Sequence, residues 1–249
     1  MNESSQMRQG HAVFDLVSRR PKGEKIERLL GLDADGTYDM LEVGTGSGYI
    51  AHHFATQAQA TYNVHSVDVA DTRAVTDGYS FQKVASTTLP FPDRSFDVVV
   101  TNHVIEHVGD LKAQAHHLAE IQRILRPTGR VYLAVPNRWM LVEPHYGLAF
   151  LSWLPRACRS KWLRFWNKGD YYDCEPLQLG EVERLARDAG FLPRNVSTEA
   201  FRVLLSVEGK RGLLIRLVSA MPDGFIRAMR RIIPTHVYIL TPVVTPRAS

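Results

Sequence analysis

Short and almost continuous apolar runs recur along the first 137 residues of the chain, and amphipathic segments separate them. The runs predict five strands, at residues 38–44, 62–70, 80–86, 95–104 and 130–137. The intervening segments predict helices at residues 22–30, 48–59 and 110–127, and a poorly marked helix between the second and third strands. Because strands this apolar are buried on both faces, the pattern predicts a parallel sheet covered by helices on both sides.

This alternation stops after residue 137 and resumes only towards the carboxyl end. The later elements are predicted as a helix at 179–191, a strand at 194–200, basic amphipathic helices within 201–233 and a closing strand at 235–242. We therefore expect one α/β domain over residues 1–249, with a doubly wound, mostly parallel sheet of seven strands. Its predicted core is 38–137. Two helical insertions, 138–176 and 201–233, follow the fifth strand and precede the last one.

The composition is that of an ordinary globular protein. Of the 249 residues, 45% are hydrophobic and 22% are charged, which excludes collagen-like, disordered and disulfide-scaffold proteins. Cys158 and Cys174 have no CxxC spacing and are expected to be reduced thiols. The N-terminus has no signal-peptide pattern, and no apolar run approaches the ~18–20 residues of a membrane span. The sequence predicts a cytoplasmic protein, soluble or at most peripheral at the inner face of the membrane.

Positive charge is concentrated in the two insertions. The whole chain has a net charge of +4, but residues 138–168 hold six basic residues against one acidic residue, and residues 200–233 hold seven against two. The first insertion also holds all four tryptophans. Aromatic and basic side chains together suit an acceptor with an apolar or sugar part and a phosphate. Alternatively, the tryptophans pack this insertion onto the sheet, and 201–233 forms a dimer face or a membrane contact.

Three glycines mark the turn between the first predicted strand and the helix that follows it. Gly44, Gly46 and Gly48 have the spacing G-x-G-x-G, and glycines at such a turn allow unusual backbone dihedrals and close approach of a ligand. Asp68, near the end of the second strand, is placed to accept hydrogen bonds from a ribose diol. A dinucleotide fingerprint would need Gly or Ala at position 49, where this chain has Tyr49.

Further motifs follow the glycines along the core. Glu42 precedes them, and the later segments are LPFPD (89–93), SFDVV (95–99), IEHV (105–108), ILRPTG (124–129) and VPN (135–137). Together they resemble class I S-adenosylmethionine-dependent methyltransferases, in the broad type 11 group that includes ubiquinone-biosynthesis methyltransferases. The resemblance covers about residues 38–137. It implies a Rossmann-like fold and S-adenosyl-L-methionine as the cofactor.

The resemblance also assigns cofactor contacts to residues of the core. Glu42, Thr45 and the three glycines would surround the methionine part of the cofactor. Asp68 would bind the ribose. Asn102, at the end of the fourth strand, is also an expected cofactor contact.

The adenine contacts are expected from the residues after the third strand, where this chain departs from the family pattern. Many relatives have Asp-Ala-Glu before Leu-Pro-Phe, whereas this chain has ASTT at 85–88. The usual acidic contact is thus replaced by Ala85, which we expect to be an ordinary buried strand end. Ser86, Thr87 or a backbone carbonyl is then expected to contact the adenine.

The segment after the fourth strand holds the candidate catalytic residues. Ligands collect beyond the carboxyl ends of parallel strands, and the sequence there is TNHVIEH at 101–107. Methyl transfer to a neutral hydroxyl benefits from a general base, typically by ~10²–10⁴-fold. His103 is the expected base because it lies at the strand end, with His107 and His145 as the alternatives. Packing or capping of the next helix explains His107 equally well.

The same residues match two metal-binding patterns, and neither is expected to operate here. His103 to His107 fits the H-x-x-E-H pattern of one zinc-peptidase class, but that motif needs a helix and this segment straddles a strand end. Some methyltransferase relatives have Glu-x-x-Glu-His at this place and bind a divalent metal. Since His103 leaves a single carboxylate, the set is a poor one for Mg²⁺, and no metal is predicted.

The sequence therefore predicts an S-adenosylmethionine-dependent methyltransferase that modifies a hydroxyl of a small or lipid-linked amphipathic metabolite. One rival function is an RNA or other macromolecular methyltransferase that uses the basic insertions, although nucleic acid is disfavoured as a partner. The other is a non-catalytic cofactor-binding partner protein. A homodimer and a peripheral membrane contact through 201–233 stay open.

Overall fold

A computed structural model describes residues 16–207 and 221–243. Its strands are β1 (Thr37–Val43), β2 (Thr61–Asp68), β3 (Ser80–Lys83), β4 (Phe96–Asn102), β5 (Leu125–Pro136), β6 (Val142–Glu143), β7 (Leu148–Ala149), β8 (Phe191–Asn195) and β9 (Thr235–Pro242). Seven of these strands form one sheet, in the order β3-β2-β1-β4-β5-β9-β8, and β6 and β7 form a separate hairpin. Strands β1 to β5 are parallel, whereas β9 is antiparallel to both β5 and β8.

Helices cover both faces of the sheet. They are α1 (Leu16–Leu30), α2 (Tyr49–Thr56), α3 (Leu111–Ile124), α4 (Arg156–Phe165), α5 (Leu179–Asp188), α6 (Ser197–Val207) and α7 (Asp223–Met229), with single 3-10 turns at Ile105–His107 and Leu151–Trp153. Helices α1, α2 and α6 share one apolar cluster with the sheet, and α3 and α5 share the other. Within the described residues, no helix is both long enough and apolar enough to span a membrane.

The apolar run of β4 shows why the strands could be located from the sequence. Val98 and Val100 belong to the cluster on one face, and Val99 belongs to the cluster on the other. All three are fully buried, because each face of the strand lies under helices. This confirms the predicted doubly wound, mostly parallel seven-stranded sheet.

The predicted helix over 110–127 ends three residues early. Its start is confirmed, since the side chain of Asp110 accepts a hydrogen bond from the backbone N–H of Ala113. The helix stops at Ile124 because Leu125 already pairs with Phe96 of β4. The segment PTG at 127–129, expected beyond the helix in a turn, therefore lies inside β5.

The predicted helix between the second and third strands is wrong. The described structure has no helix between Asp68 and Ser80. The backbone N–H groups of Ala74 and Val75 donate to the carbonyl oxygen of Ser47 instead of to their own segment. This stretch is therefore tied to the glycine turn, and its backbone hydrogen bonds go there.

Three later expectations change in detail. The strand predicted at 194–200 is β8, which ends at Asn195, and α6 then begins at Ser197. The first insertion is not purely helical, since it also contains the β6–β7 hairpin. Helices predicted within 201–233 correspond to the end of α6 and to α7. The dimer face or membrane contact predicted for that segment falls partly on residues 208–220, which lie outside the described residues.

Candidate active site

All three glycines of the turn between β1 and α2 have a positive φ, and two of them also leave no room for a Cβ. Gly44 and Gly48 both have a φ of +83°, in the left-handed region that side chains rarely adopt. A Cβ on Gly44 would lie 2.2 Å from Cγ2 of Val104, and one on Gly48 would lie 2.2 Å from the carbonyl oxygen of Val75. A Cβ on Gly46 would meet no described atom within 4 Å. The turn is packed on its protein side and open at Gly46, where a ligand can approach.

Two buried polar side chains stand beside this turn. Oε2 of Glu42 accepts a hydrogen bond of 3.0 Å from the backbone N–H of Ala51 in the first turn of α2. This satisfies one of the N–H groups that a helix leaves unpaired at its start. The buried hydroxyl of Thr45 has no hydrogen-bond partner within the described residues. A buried, unsatisfied hydroxyl next to a helix N-terminus indicates a place for a polar ligand.

Asp68 fixes the turn from the end of β2. Its Oδ2 accepts a hydrogen bond of 2.9 Å from the N–H of Gly46, and its Oδ1 accepts one of 2.7 Å from the N–H of Val69. The carboxylate is still partly exposed, and each of its oxygens can accept more than one hydrogen bond. The structure thus brings Glu42, Thr45, the glycines and Asp68 to one place, and their contacts with a cofactor stay predictions.

The residues after β3 give a different picture from the one expected. Ala85 is exposed and lies beyond the last residue of β3, so the expectation of a buried strand end is wrong. The strand ends at Lys83 because its pairing with β2 stops at Asp68. Oγ1 of Thr87 lies 2.7 Å from Nδ1 of His116 on α3, and Oγ of Ser86 accepts a hydrogen bond from the N–H of Thr88. Adenine contacts by Ser86 and Thr87 stay predictions.

His103 follows Asn102 at the carboxyl end of β4, directly before the residue that packs against Gly44. Its φ is +59°, in the left-handed region. Nδ1 of His103 lies 3.2 Å from Oε1 of Glu106, and Nε2 lies 3.4 Å from Oγ1 of Thr235 at the start of β9. The imidazole is therefore held between a carboxylate and a hydroxyl.

Glu106, the carboxylate beside His103, is buried. Burial raises the pKa of a carboxyl group, but the hydrogen bond from His103 and the charges of His103 and His107 hold the pKa of Glu106 below its usual value. Glu106 is thus ionised at neutral pH. An ionised carboxylate orients an imidazole and stabilises it once it is protonated, which are the two requirements for a supported general base.

His107 and His145 face each other, with ring centroids 5.7 Å apart. Nδ1 of His107 lies 3.8 Å from Sγ of Cys174, and Nδ1 of His145 lies 2.6 Å from Oε1 of Glu143. Burial lowers the pKa of His145, but Glu143 more than offsets this, so that the pKa of His145 is raised. Because His107 lies in the 3-10 turn Ile105–His107, the H-x-x-E-H segment lacks the helix that a zinc peptidase needs.

Several residues near these histidines are absent from the predicted set. Thr235 meets His103 because β9 is antiparallel to β5, so that its first residue pairs with Pro136 at the carboxyl edge of the parallel strands. The strand at 235–242 was predicted, but its pairing with β5 was not. No sequence spacing relates Glu143, Asp173 and Cys174 to His107, and only the folded chain brings them together.

A separate open cleft lies between the start of α3 and the first insertion. It has a volume of about 320 Å³, and its charged lining residues are Asp110, Lys112, Arg138, Arg156, Glu175 and Glu181. None of the predicted cofactor or catalytic residues lines it. The glycine turn and His103 therefore form a site of their own.

Comparison with known sequences agrees with this geometry. Residues 41–133 match the family model described as a methyltransferase domain. A probable S-adenosylmethionine-dependent methyltransferase of Mycolicibacterium smegmatis is 38% identical over 102 residues, which cover 40% of this chain and 38% of that protein. A ubiquinone biosynthesis O-methyltransferase of Rhizobium leguminosarum is 29% identical over 47% of this chain and 49% of its own length. The chain thus spans less than half the length of these curated relatives.

Comparison with solved structures supports the fold. The crystal structure of a Burkholderia thailandensis 1,6-didemethyltoxoflavin-N1-methyltransferase, which contains its acceptor and S-adenosylhomocysteine, aligns with a TM-score of 0.54. The alignment covers 92% of this chain and 80% of that one, at 16% sequence identity. Identity this low supports the shared architecture and nothing finer.

Proposed function

We propose that this chain, of which residues 41–133 match a methyltransferase-domain model, transfers a methyl group from S-adenosylmethionine to a hydroxyl of a small or lipid-linked amphipathic acceptor. The observation that carries this proposal is the position of the His103–Glu106 pair. Val104, the residue after His103, packs against Gly44 of the glycine turn. The His103–Glu106 pair and the glycine turn therefore lie side by side at the carboxyl end of the sheet, where ligands bind in open parallel sheets, and this supports the proposal.

The residues at the turn fit the cofactor. Glu42 and Thr45 would hold its methionine part, the opening at Gly46 would admit its backbone, and Asp68 would accept from its ribose hydroxyls. When bound, S-adenosylmethionine supplies an electrophilic methyl group. The protein's own tasks are then to position an acceptor hydroxyl, to exclude water and to accept the hydroxyl proton.

His103 is suited to take that proton at Nε2. In the tautomer that donates from Nδ1 to the Glu106 carboxylate, Nε2 carries the lone pair. The two atoms Nδ1 and Oε1 lie 3.2 Å apart, so the carboxylate also stabilises the imidazolium formed by proton transfer. Thr235, 3.4 Å from Nε2, would help to align this atom with an acceptor hydroxyl.

The first insertion supports an amphipathic, anionic acceptor. It follows β5 directly and leaves the sheet at the same edge as His103. In this insertion, the guanidinium group of Arg138 lies 5.7 Å from the ring centre of Trp139. The two side chains together offer a positive charge and an apolar face. Such a pair suits an acceptor that has both a phosphate and an apolar or sugar part.

Calorimetry with the Thr45→Val variant tests the cofactor assignment. A hydrogen bond is worth about 0.5–1.5 kcal/mol, so we expect the affinity for S-adenosylmethionine to fall about three- to tenfold. Stability should not fall, because the hydroxyl has no partner within the described residues. Thr56→Val, on the exposed side of α2, is the matched control and should leave the affinity unchanged. Binding of NAD without binding of S-adenosylmethionine by the unaltered protein would overturn the proposal.

A further inference from the structure

Three segments that are distant in sequence bring metal-ligating side chains together where the first insertion meets the turn after β4. His107 comes from the 3-10 turn after β4, Glu143 and His145 come from the β6–β7 hairpin and the turn within it, and Asp173 and Cys174 come from the segment after α4. Glu143 and Cys174 are each 1% exposed, and the other three are partly buried. Two imidazoles, one thiol and two carboxylates in one partly buried place form an unusual cluster for a structural role alone.

Three of these groups lie close enough together to bind one metal ion. One ligand atom each of His107, Asp173 and Cys174 lies within 4.8 Å of the other two. Sγ of Cys174 lies 3.8 Å from Nδ1 of His107 and 3.6 Å from Oδ1 of Asp173, whereas Nδ1 of His107 lies 4.0 Å from Oδ2 of Asp173. Zinc bonds of about 2.0–2.3 Å in tetrahedral geometry place neighbouring ligand atoms about 3.3–3.8 Å apart. The donors are therefore near the spacing that one bound ion requires.

His145 belongs to a second group of possible ligands, which shares Cys174 with the first. A ligand atom of His145, one of Glu143 and Sγ of Cys174 all lie within 4.8 Å of one another. Nδ1 of His145 is held by Oε1 of Glu143 at 2.6 Å. Metal-binding histidines commonly have a carboxylate on one ring nitrogen, which orients the other nitrogen towards the metal. Glu143 has that orienting position here.

We propose that His107, Asp173, Cys174 and His145 bind a divalent transition-metal ion of the zinc type, with Glu143 orienting His145. A thiolate and two imidazoles select Zn²⁺ over Mg²⁺ or Ca²⁺, which prefer oxygen ligands. The ion would fasten the first insertion to the end of β4, two segments that are 67 residues apart at Cys174 and His107. The proposal gives His107 and His145 a role other than that of alternative base, and it does not depend on methyl transfer.

Metal binding should release the thiol proton of Cys174 to solvent. Burial raises the pKa of this thiol, with smaller contributions from the neighbouring carboxylates, so the thiol is protonated without a metal. The bond that breaks is S–H, and the bond that forms is between sulfur and the metal, with no change of oxidation state. Affinity should accordingly increase with pH.

Cobalt(II) titration of the purified, metal-stripped full chain tests the site. Tetrahedral Co²⁺ bound to a thiolate has a charge-transfer band in the near ultraviolet and intense visible bands. We expect one Co²⁺ per chain with both features, and stoichiometric loss of both when Zn²⁺ is added. The absence of a thiolate band would overturn the proposal. Because cofactor binding is measured separately by calorimetry, failure here is distinguishable from failure of the proposed methyl transfer.

The two cysteines provide a matched pair of variants. Cys158 is exposed and Cys174 is buried, and the sequence contains no third cysteine. Cys158→Ser should keep the charge-transfer band, and Cys174→Ser should abolish it. If Cys174→Ser does not fold, retention of the band in Cys158→Ser still assigns it to Cys174. His107→Gln should weaken Co²⁺ binding at least tenfold. A band that persists in Cys174→Ser, or one that disappears in Cys158→Ser, contradicts the assignment.

Discussion

The glycine turn and the first insertion are stabilised in opposite ways. At the turn, the decisive contacts go to backbone N–H groups, from Glu42 to that of Ala51, 9 residues away, and from Asp68 to that of Gly46, 22 residues away. In the insertion, the decisive contacts join side chains of distant segments, as between His107 and Cys174. Local contacts leave a spacing that can be recognised in a sequence, whereas distant ones do not. The arrangement of the glycine turn was therefore predictable, and the cluster around Cys174 was not.

Aromatic side chains show the same contrast. In the core, Phe54 is 1% exposed and packs edge-to-face on Tyr62. In the insertion, all four tryptophans are at least 37% exposed, and Phe165 is 75% exposed. Packing therefore leaves part of each tryptophan ring exposed, although Tyr146 and Tyr172 of the same insertion are buried. The exposed side chains are available for contacts outside the chain, as an amphipathic acceptor would require.

The largest effect is expected at His103, where the two regions meet. His103→Asn should lower turnover by about 10²–10⁴-fold, while the affinity for S-adenosylmethionine stays within about twofold. Asparagine is the appropriate replacement because it tolerates the left-handed φ of this residue better than most side chains do. Turnover is measured as release of S-adenosylhomocysteine with an acceptor that the unaltered protein methylates.

Glu106→Gln provides the companion measurement for the same pair. It keeps a hydrogen-bond partner for Nδ1 of His103 but removes the negative charge, so its turnover should fall less than that of His103→Asn. Unchanged turnover in His103→Asn would remove this residue from the role of base.

Truncation of one phenylalanine in each region measures the contrast in packing directly. Phe54→Ala should cost about 3–5 kcal/mol of the free energy of unfolding, because it leaves a cavity between α2 and β2. Phe165→Ala should change that free energy by less than about 0.5 kcal/mol, as for most exposed positions. Urea unfolding of both variants measures the difference. Similar losses would show that the Phe165 ring is packed in the folded protein and would remove the contrast.

The sequence predicts well which strands are buried and where local turns lie. The fully buried Val98, Val99 and Val100 located β4, because a strand covered on both faces must be apolar throughout. The missing helix after β2 was not predictable in the same way. Its backbone hydrogen bonds go to Ser47, a partner that the local pattern does not reveal.

Contacts across the antiparallel end of the sheet were harder to predict for a related reason. Thr235 reaches His103 only because β9 starts where β5 ends. The element was predicted at its correct bounds, but the sequence alone did not show which strand it pairs with. Cys174 was harder still to predict. No regular spacing in the sequence links it to His107, Glu143 or His145, and only the fold makes it part of their cluster.

Histidine ionisation gives the smallest and most specific test of the contrast. In the insertion, His145 has a carboxylate partner and a raised pKa. In the core, His236 is fully buried on β9, and neither ring nitrogen has a hydrogen-bond partner among the described residues. Burial, together with the nearby positive charge of Arg230, lowers the pKa of His236 to about 4. A histidine in the unfolded chain has a pKa of about 6.5. As the pH falls, His236 is therefore protonated in the unfolded state before it is protonated in the folded state.

The stability that His236 contributes is therefore complete above about pH 6.5 and is lost as the pH falls towards 4. Between pH 8 and pH 5, His236 alone should lower the free energy of unfolding by about 2 kcal/mol. His236→Leu removes the proton-binding site. Between pH 8 and pH 5, the free energy of unfolding of this variant should therefore fall by about 2 kcal/mol less than that of the unaltered protein. Urea unfolding at pH 8, 6.5 and 5 measures both slopes. Parallel slopes would mean that His236 is not held neutral by burial, and the difference between the histidines of the two regions would then disappear.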